Sequence, residues 1–218
     1  GALEEFGPSD LNESDYPLFE NSDYVCLFNW AGTKRHGTAL AEAVFERAKH
    51  GGRAKTYYDT ADPNPNAADI PRLVEKVLKT SKVDILSLNE NEAITYANIL
   101  VADFWAKKGQ LSFPDYALEA ARVLASVCKA RIDLHTTLFS ASLKGKREVV
   151  VPTFKIEVYR ATGAGDAWNA GNIIADYYGL SDECRLMLAN AVSACYLSGA
   201  DGMHPTKSKI ANFLKTNS

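Results

Sequence analysis

The sequence predicts a doubly wound α/β fold, a mainly parallel sheet with helices on both faces. Three observations predict it. Short unbroken apolar runs, such as Tyr24-Val25-Cys26-Leu27-Phe28, read as strands buried on both sides. Longer stretches of helical periodicity lie between them, so strands and helices alternate as in βαβ units. The 218 residues suit one domain, 1–218, long enough to bury a sizeable core.

Each element has its own warrant. Residues 1–22 read as an irregular or briefly helical lead-in, punctuated by Gly7-Pro8-Ser9. After the first strand, 38–50 is a helix with Leu40, Val44 and Phe45 on its apolar face, and Gly51-Gly52 ends it. A strand over 54–58 stops at Asp59, and Asp62-Pro63-Asn64-Pro65-Asn66 is turn chemistry. Residues 69–80 are amphipathic helix. A third strand, 83–88, stops at Asn89, where a helix begins that runs to about 108. A helix over 117–129 and a strand over 132–138 follow. Lys144-Gly145-Lys146 marks a tight turn, with a hairpin strand over 147–151 beyond it and an extended stretch over 154–159. Three helices close the chain: one after Gly165, one from Ser181, and a short one over 206–214. The first of these puts Ala167, Ala170, Gly171 and Ile174 on one face, small enough to pack close to a sheet.

The totals remove several function classes. A net charge of −3 gives no electrostatic reason for a nucleic-acid or anionic-membrane partner. No apolar run approaches the length of a membrane span. Cys26, Cys128, Cys184 and Cys195 form no Cys-x-x-Cys pair and read as reduced core thiols. The four histidines lack ligand spacing, which argues against zinc.

The chemistry gathers at Thr162-Gly163-Ala164-Gly165-Asp166. Glycines let a backbone turn tightly and approach a ligand. The first N–H groups of the following helix have no helical partners and favour an anion. Asp166, at the end of that nest, is placed to take a proton from an attacking hydroxyl. The bland alternative is a glycine turn with a helix-terminal acid. Asn89-Glu90-Asn91-Glu92 opens a helix after a strand. Asn89 and Glu92 make a capping-box pair, and Glu92 can also orient a water on a metal ion; both can hold at once. Asp59 and Asp62 read as turn-forming acids, with a metal or phosphate neighbourhood as the other use. Lys34, Arg35 and His36 read as a solvated loop, with anion binding as the alternative. Asn190 lies on an apolar helix face and needs partners, from a base or sugar edge or from neighbouring backbone. Trp168 reads as core.

Gly163-Ala164-Gly165-Asp166 with Ala170-Gly171 resembles the C-terminal signature of the ribokinase-like (PfkB) carbohydrate kinases. Asn89-Glu90-Asn91-Glu92 resembles that family's Asn-x-x-Glu motif, and Leu188-Ala189-Asn190-Ala191 with Gly199-Ala200 and Pro205-Thr206 resembles its nucleotide-side stretch. The resemblance implies a cytoplasmic kinase that uses ATP and Mg²⁺ to phosphorylate a hydroxyl of a sugar or nucleoside. It implies Asp166 as base, and Gly163, Ala164 and Gly165 as the anion hole. Asn190 would lie by the nucleotide, and Glu92 with Asn89 near the metal, through water.

The chain departs from the family at two places. Arg160 and Ala161 stand where an acid and a hydroxyl are usual, and 135–140 carries no glycine turn. The resemblance also implies that the chain matches the C-terminal two thirds of such a kinase. The N-terminal segment would bring further strands, most substrate contacts and a lid through which a homodimer can form. The rival from another class is a non-catalytic nucleotide- or nucleoside-binding module, or a partner subunit.

Overall fold

The structure, a computed structural model, describes residues 1–217, the side chain of Lys107 excepted. Its strands are β1 (Tyr24–Phe28), β2 (Lys55–Asp59), β3 (Ile85–Asn89), β4 (Arg131–His135), β5 (Phe139–Lys144) and β6 (Arg147–Pro152). The helices are α1 (Ala2–Glu5), α2 (Tyr16–Asn21), α3 (Gly37–His50), α4 (Ile70–Leu73), α5 (Glu90–Leu100), α6 (Phe113–Val127), α7 (Ala164–Tyr177), α8 (Asp182–Leu197) and α9 (Lys207–Asn217). Strands are hydrogen-bonded in chain order, β1 to β6. The β1–β2 and β2–β3 pairs are parallel, with Phe28 opposite Asp59 and Asp59 opposite Ser87. Gly145, at φ 61, turns the short connection between β5 and β6, and a connection that short makes an antiparallel hairpin. The sheet is therefore mixed, and the architecture is α/β. No helix among the described residues is long and apolar enough to cross a membrane.

The chain divides into two compact units, Gly1–Leu134 with Leu143–Lys146, and His135–Ser142 with the residues from Arg147 onward. In the first, Val25, Leu40, Val44, Ala48 and Ala54 form a core against which Leu11, Phe19 and Leu27 pack. In the second, Val151, Trp168, Leu186 and Ala189 cluster with Val149 beside them.

Several elements differ from the sequence expectation. The 69–80 helix is a short α segment that widens into a π turn over Val74–Leu78. The helix from Asn89 ends at Leu100, where Val101 turns extended at φ −126 and ψ 116, and Asp103, at a left-handed φ of 64, then starts a separate 3-10 turn. Helix α6 begins at Phe113, before the expected 117, capped by Ser112 with Pro114 in its first turn. Residues 154–159 form no strand. On α7 the buried residues are Ala167, Trp168, Asn169, Gly171, Asn172 and Ala175, while Ala170 and Ile174 face outward. Gly171 does permit a close approach, but to α8: a Cβ there would lie 2.9 Å from Ala189 Cα. Among the cysteines, all are free, and Cys184 is exposed rather than in the core.

Candidate functional site

In the first unit, polar groups collect at the C-terminal ends of β2 and β3. Asn89 caps α5: its Oδ1 accepts from Glu92 N–H at 3.0 Å. Glu92 answers with both oxygens, Oε2 accepting from Asn89 N–H at 2.9 Å and Oε1 from Asn89 Nδ2 at 2.7 Å. The capping box is thus present in full. Glu92 is only 3 % exposed. Burial pushes its carboxyl up to about 8, the charge of Asp59 adds to this, the hydrogen bond from Asn89 backbone opposes it, and Asp62 and Glu90 add smaller repulsions.

Asp59 and Asp62 behave as turn formers. Asp59 Oδ1 accepts from Ala61 N–H at 2.9 Å, holding Ala61 at φ 55. Asp62 Oδ1 accepts from Asn64 backbone N–H and side chain. Tyr96 reaches from α5 to donate to Thr60 Oγ1 at 2.8 Å. Arg35 pairs with Glu5 in an exposed ion pair, so the Lys34-Arg35-His36 loop reads as a solvated surface.

Among the described residues, no group of three His, Cys, Asp or Glu side chains is arranged to hold a metal ion. The donor set still suits Mg²⁺, which keeps several waters and uses few protein carboxylates. A carboxyl lifted to about 8 by burial, and further by the neighbouring acids, is one that a cation would return to its charged form. Both its oxygens already accept from Asn89, so Glu92 and Asn89 fit a water-mediated role.

In the second unit, the glycine turn leads straight into α7. Gly163 is the N-cap of α7 at φ 88, a conformation that favours glycine. Ala164 N–H donates to Ala161 O at 3.2 Å, and Ala167 N–H is the next helical donor, to Gly163 O. Gly165 and Asp166 therefore lie in the first turn, where the helix offers their N–H groups no acceptor. Asp166 is exposed at the third helical position. His135, at the end of β4, closes one side: its Cε1 would touch a Cβ on Gly165 at 3.4 Å.

Asn190 is placed differently from a residue that meets a ligand edge. It is 3 % exposed. Its Oδ1 accepts from Ser140 Oγ at 2.5 Å and from Trp168 Nε1 at 2.9 Å, and its Nδ2 donates to Pro152 O at 3.1 Å. Neighbouring backbone and core side chains satisfy the amide, and Trp168 is a core residue.

Sequence reasoning misses two further features. Arg185 is fully buried on α8 and bonds Asn172, Ser142 and Asp182. Tyr196, Arg160 and His204 cluster beside the nest. Helical periodicity marks Tyr196 as inward-facing but says nothing of its partners, and an arginine within an otherwise apolar face is the only signal for Arg185.

An α/β sheet with a glycine-capped late helix and an acid in that helix's first turn defines a class of folds in which a helix N-terminus can receive an anion. Comparison narrows the class. No family model matches the chain. A ribokinase of Bacillus subtilis (strain 168) is 37% identical over 73 residues, 32% of this chain and 25% of that protein. Among solved structures, adenosine kinase from Sinorhizobium meliloti superposes with a TM-score of 0.75 at 19% identity, over 99% of this chain and 59% of that one. Arabidopsis thaliana ribokinase, solved with ribose and ATP, gives 0.66 at 19% identity, over 96% of this chain and 61% of that one. The chain has the ribokinase-like fold and spans about three fifths of the length of these structures.

Proposed function

We propose that the protein is a kinase that transfers the γ-phosphate of ATP to a hydroxyl of a sugar or nucleoside. The observation that carries this reading is the Gly163 cap, which turns the first-turn N–H groups of α7 outward with Asp166 among them. The N–H groups of Gly163 and Gly165 stabilise charge that develops on the moving phosphoryl group, with Ala164, whose own N–H donates to Ala161 O, between them in the nest. Asp166, open to solvent, takes the proton as the acceptor hydroxyl attacks. Glu92 and Asn89 are the residues that would hold Mg²⁺ through water, and the ion supplies charge neutralisation on the phosphates. Asn190 contributes from within the core, tying α8 to Trp168 of α7. The ribokinase and adenosine kinase likenesses support the class of acceptor.

A second reading has its own observation. Arg160-Ala161 and the glycine-free turn over 135–140 favour a module that binds a nucleotide or nucleoside without catalysis. One experiment separates the two. The full-length protein is incubated with ATP, Mg²⁺ and a panel of sugars and nucleosides, and ADP release is followed. Acceptor-dependent ADP release supports the kinase. ATP binding by calorimetry with no release on any acceptor supports the binding module and overturns the kinase reading.

A further inference from the structure

Two hydroxyls on α8 hold the carbonyl groups of the nest. Ser193 and Tyr196 are three residues apart and so share one helix face. Ser193 Oγ donates to Ala164 O at 3.2 Å, and Tyr196 OH donates to Thr162 O at 3.2 Å. Tyr196 is itself seated. The Arg160 guanidinium carbon lies 5.8 Å from its ring centroid, and the His204 ring stacks on it at 5.2 Å and 18°. Arg160 donates to Ala200 O at 2.7 Å, and its Nη1 occupies the space that a Cβ on Gly202 would need. Tyr159 N–H donates to Leu197 O at 3.0 Å. The lead-in to the nest is thus tied to the end of α8 and the loop beyond it at several points.

We infer that Tyr196 and Ser193 are positioning residues for the anion nest, and that Arg160 and His204 hold Tyr196 in place to do this. The inference rests on the kinase reading above. The reason is the planar trans peptide, in which C=O and N–H point in opposite directions. Fixing Thr162 O against Tyr196 fixes the Gly163 N–H on the other side. Fixing Ala164 O against Ser193 does the same for the Gly165 N–H. Without the Tyr196 bond, the 162–163 peptide is flanked by a glycine that tolerates many conformations, so it can rotate. A carbonyl oxygen then stands where a donor is needed and repels the phosphate. The same hydroxyl explains the glycine: a Cβ on residue 163 would lie 2.7 Å from Tyr196 OH.

The test uses Tyr196→Phe, which keeps the ring and its stacking and removes only the hydroxyl, and Ser193→Ala. Amide hydrogen exchange and steady-state kinetics are measured on the full-length protein. Exchange in the segment 160–167 should quicken several-fold in Tyr196→Phe with the rest of the protein unchanged. Each variant should lose about three- to tenfold in kcat/KM for ATP, the effect of one net hydrogen bond, at unchanged acceptor KM. Unchanged exchange in that segment would overturn the inference. So would faster exchange spread over the whole protein with a lower Tm, which marks a merely structural role. If the parent protein transfers no phosphate, the kinase reading falls, and exchange alone decides the positioning role.

Discussion

Replacing Glu92 with glutamine separates the electrostatics of the β3–α5 junction from its capping geometry. Glu92 is buried beside the acids Asp59 and Asp62, and its carboxyl rises from 4.5 to about 8. The native state therefore holds a proton that the unfolded chain has already released. That contribution to stability is complete below pH 4.5 and is lost as pH rises through about 8. Each tenfold change in proton affinity corresponds to about 1.4 kcal/mol, so the full loss is on the order of 5 kcal/mol. Glutamine keeps one acceptor of the two that Asn89 uses, and losing the other costs about 1 kcal/mol at any pH. At pH 5, where most of that contribution is still present, the variant should be no more stable than the parent and within about 1 kcal/mol of it. At pH 8.5 it should be more stable by about 4 kcal/mol, which is about 8–16 °C in Tm for a chain of this size. Thermal melts of both proteins at half-unit steps from pH 5 to 8.5, without divalent ions, read this directly. A Tm difference that stays constant across the range would show that Glu92 carries no raised proton affinity in the folded protein.

Two other substitutions test the packing of the second unit. Arg185→Ala leaves Asp182, Asn172 and Ser142 without their buried guanidinium partner, and urea unfolding should show a loss of about 3–5 kcal/mol. A loss below about 1 kcal/mol, the size expected at a surface pair, would mean that Arg185 is not fully paired in this way. Gly171→Ala improves helix propensity by about 1 kcal/mol. Its methyl, however, would meet Ala189 Cα at 2.9 Å and Val192 Cγ2 at 3.0 Å, and overpacking of that kind costs about 1–3 kcal/mol. A lower melting temperature is expected, and a higher one would contradict the close approach of α7 and α8.

Much of this molecule can be read from its residues because the signals are local. The apolar run of β1, the Gly51-Gly52 stop of α3 and the Asn89/Glu92 box each depend on neighbours within a few positions. The start of α6 is also local, since Ser112 and Pro114 are a helix-start pattern that helical periodicity alone overlooks. The break at Asp103 is not. No glycine or proline marks it, and Ile99 and Val101 continue an apolar pattern although both end up exposed. The candidate site divides in the same way. The nest and the cap are written in short motifs. The burial of Asn190 against Ser140 and Trp168, and the hold of Tyr196 on Thr162, join residues that lie 22 to 50 and 34 positions apart. Periodicity states which face turns inward, but it does not state what that face meets.

In the proposed phosphoryl transfer, Asp166 is the base and backbone holds the phosphate. The most direct measurement is kcat of Asp166→Ala in the full-length protein at saturating ATP and acceptor, alongside the ATP Kd by calorimetry. Asp166 is exposed, so the substitution leaves the core untouched. With Asp166 as base, kcat should fall by about a hundred- to ten-thousand-fold while the ATP Kd stays close to the parent value. A near-normal kcat would contradict it and remove Asp166 from the role of base.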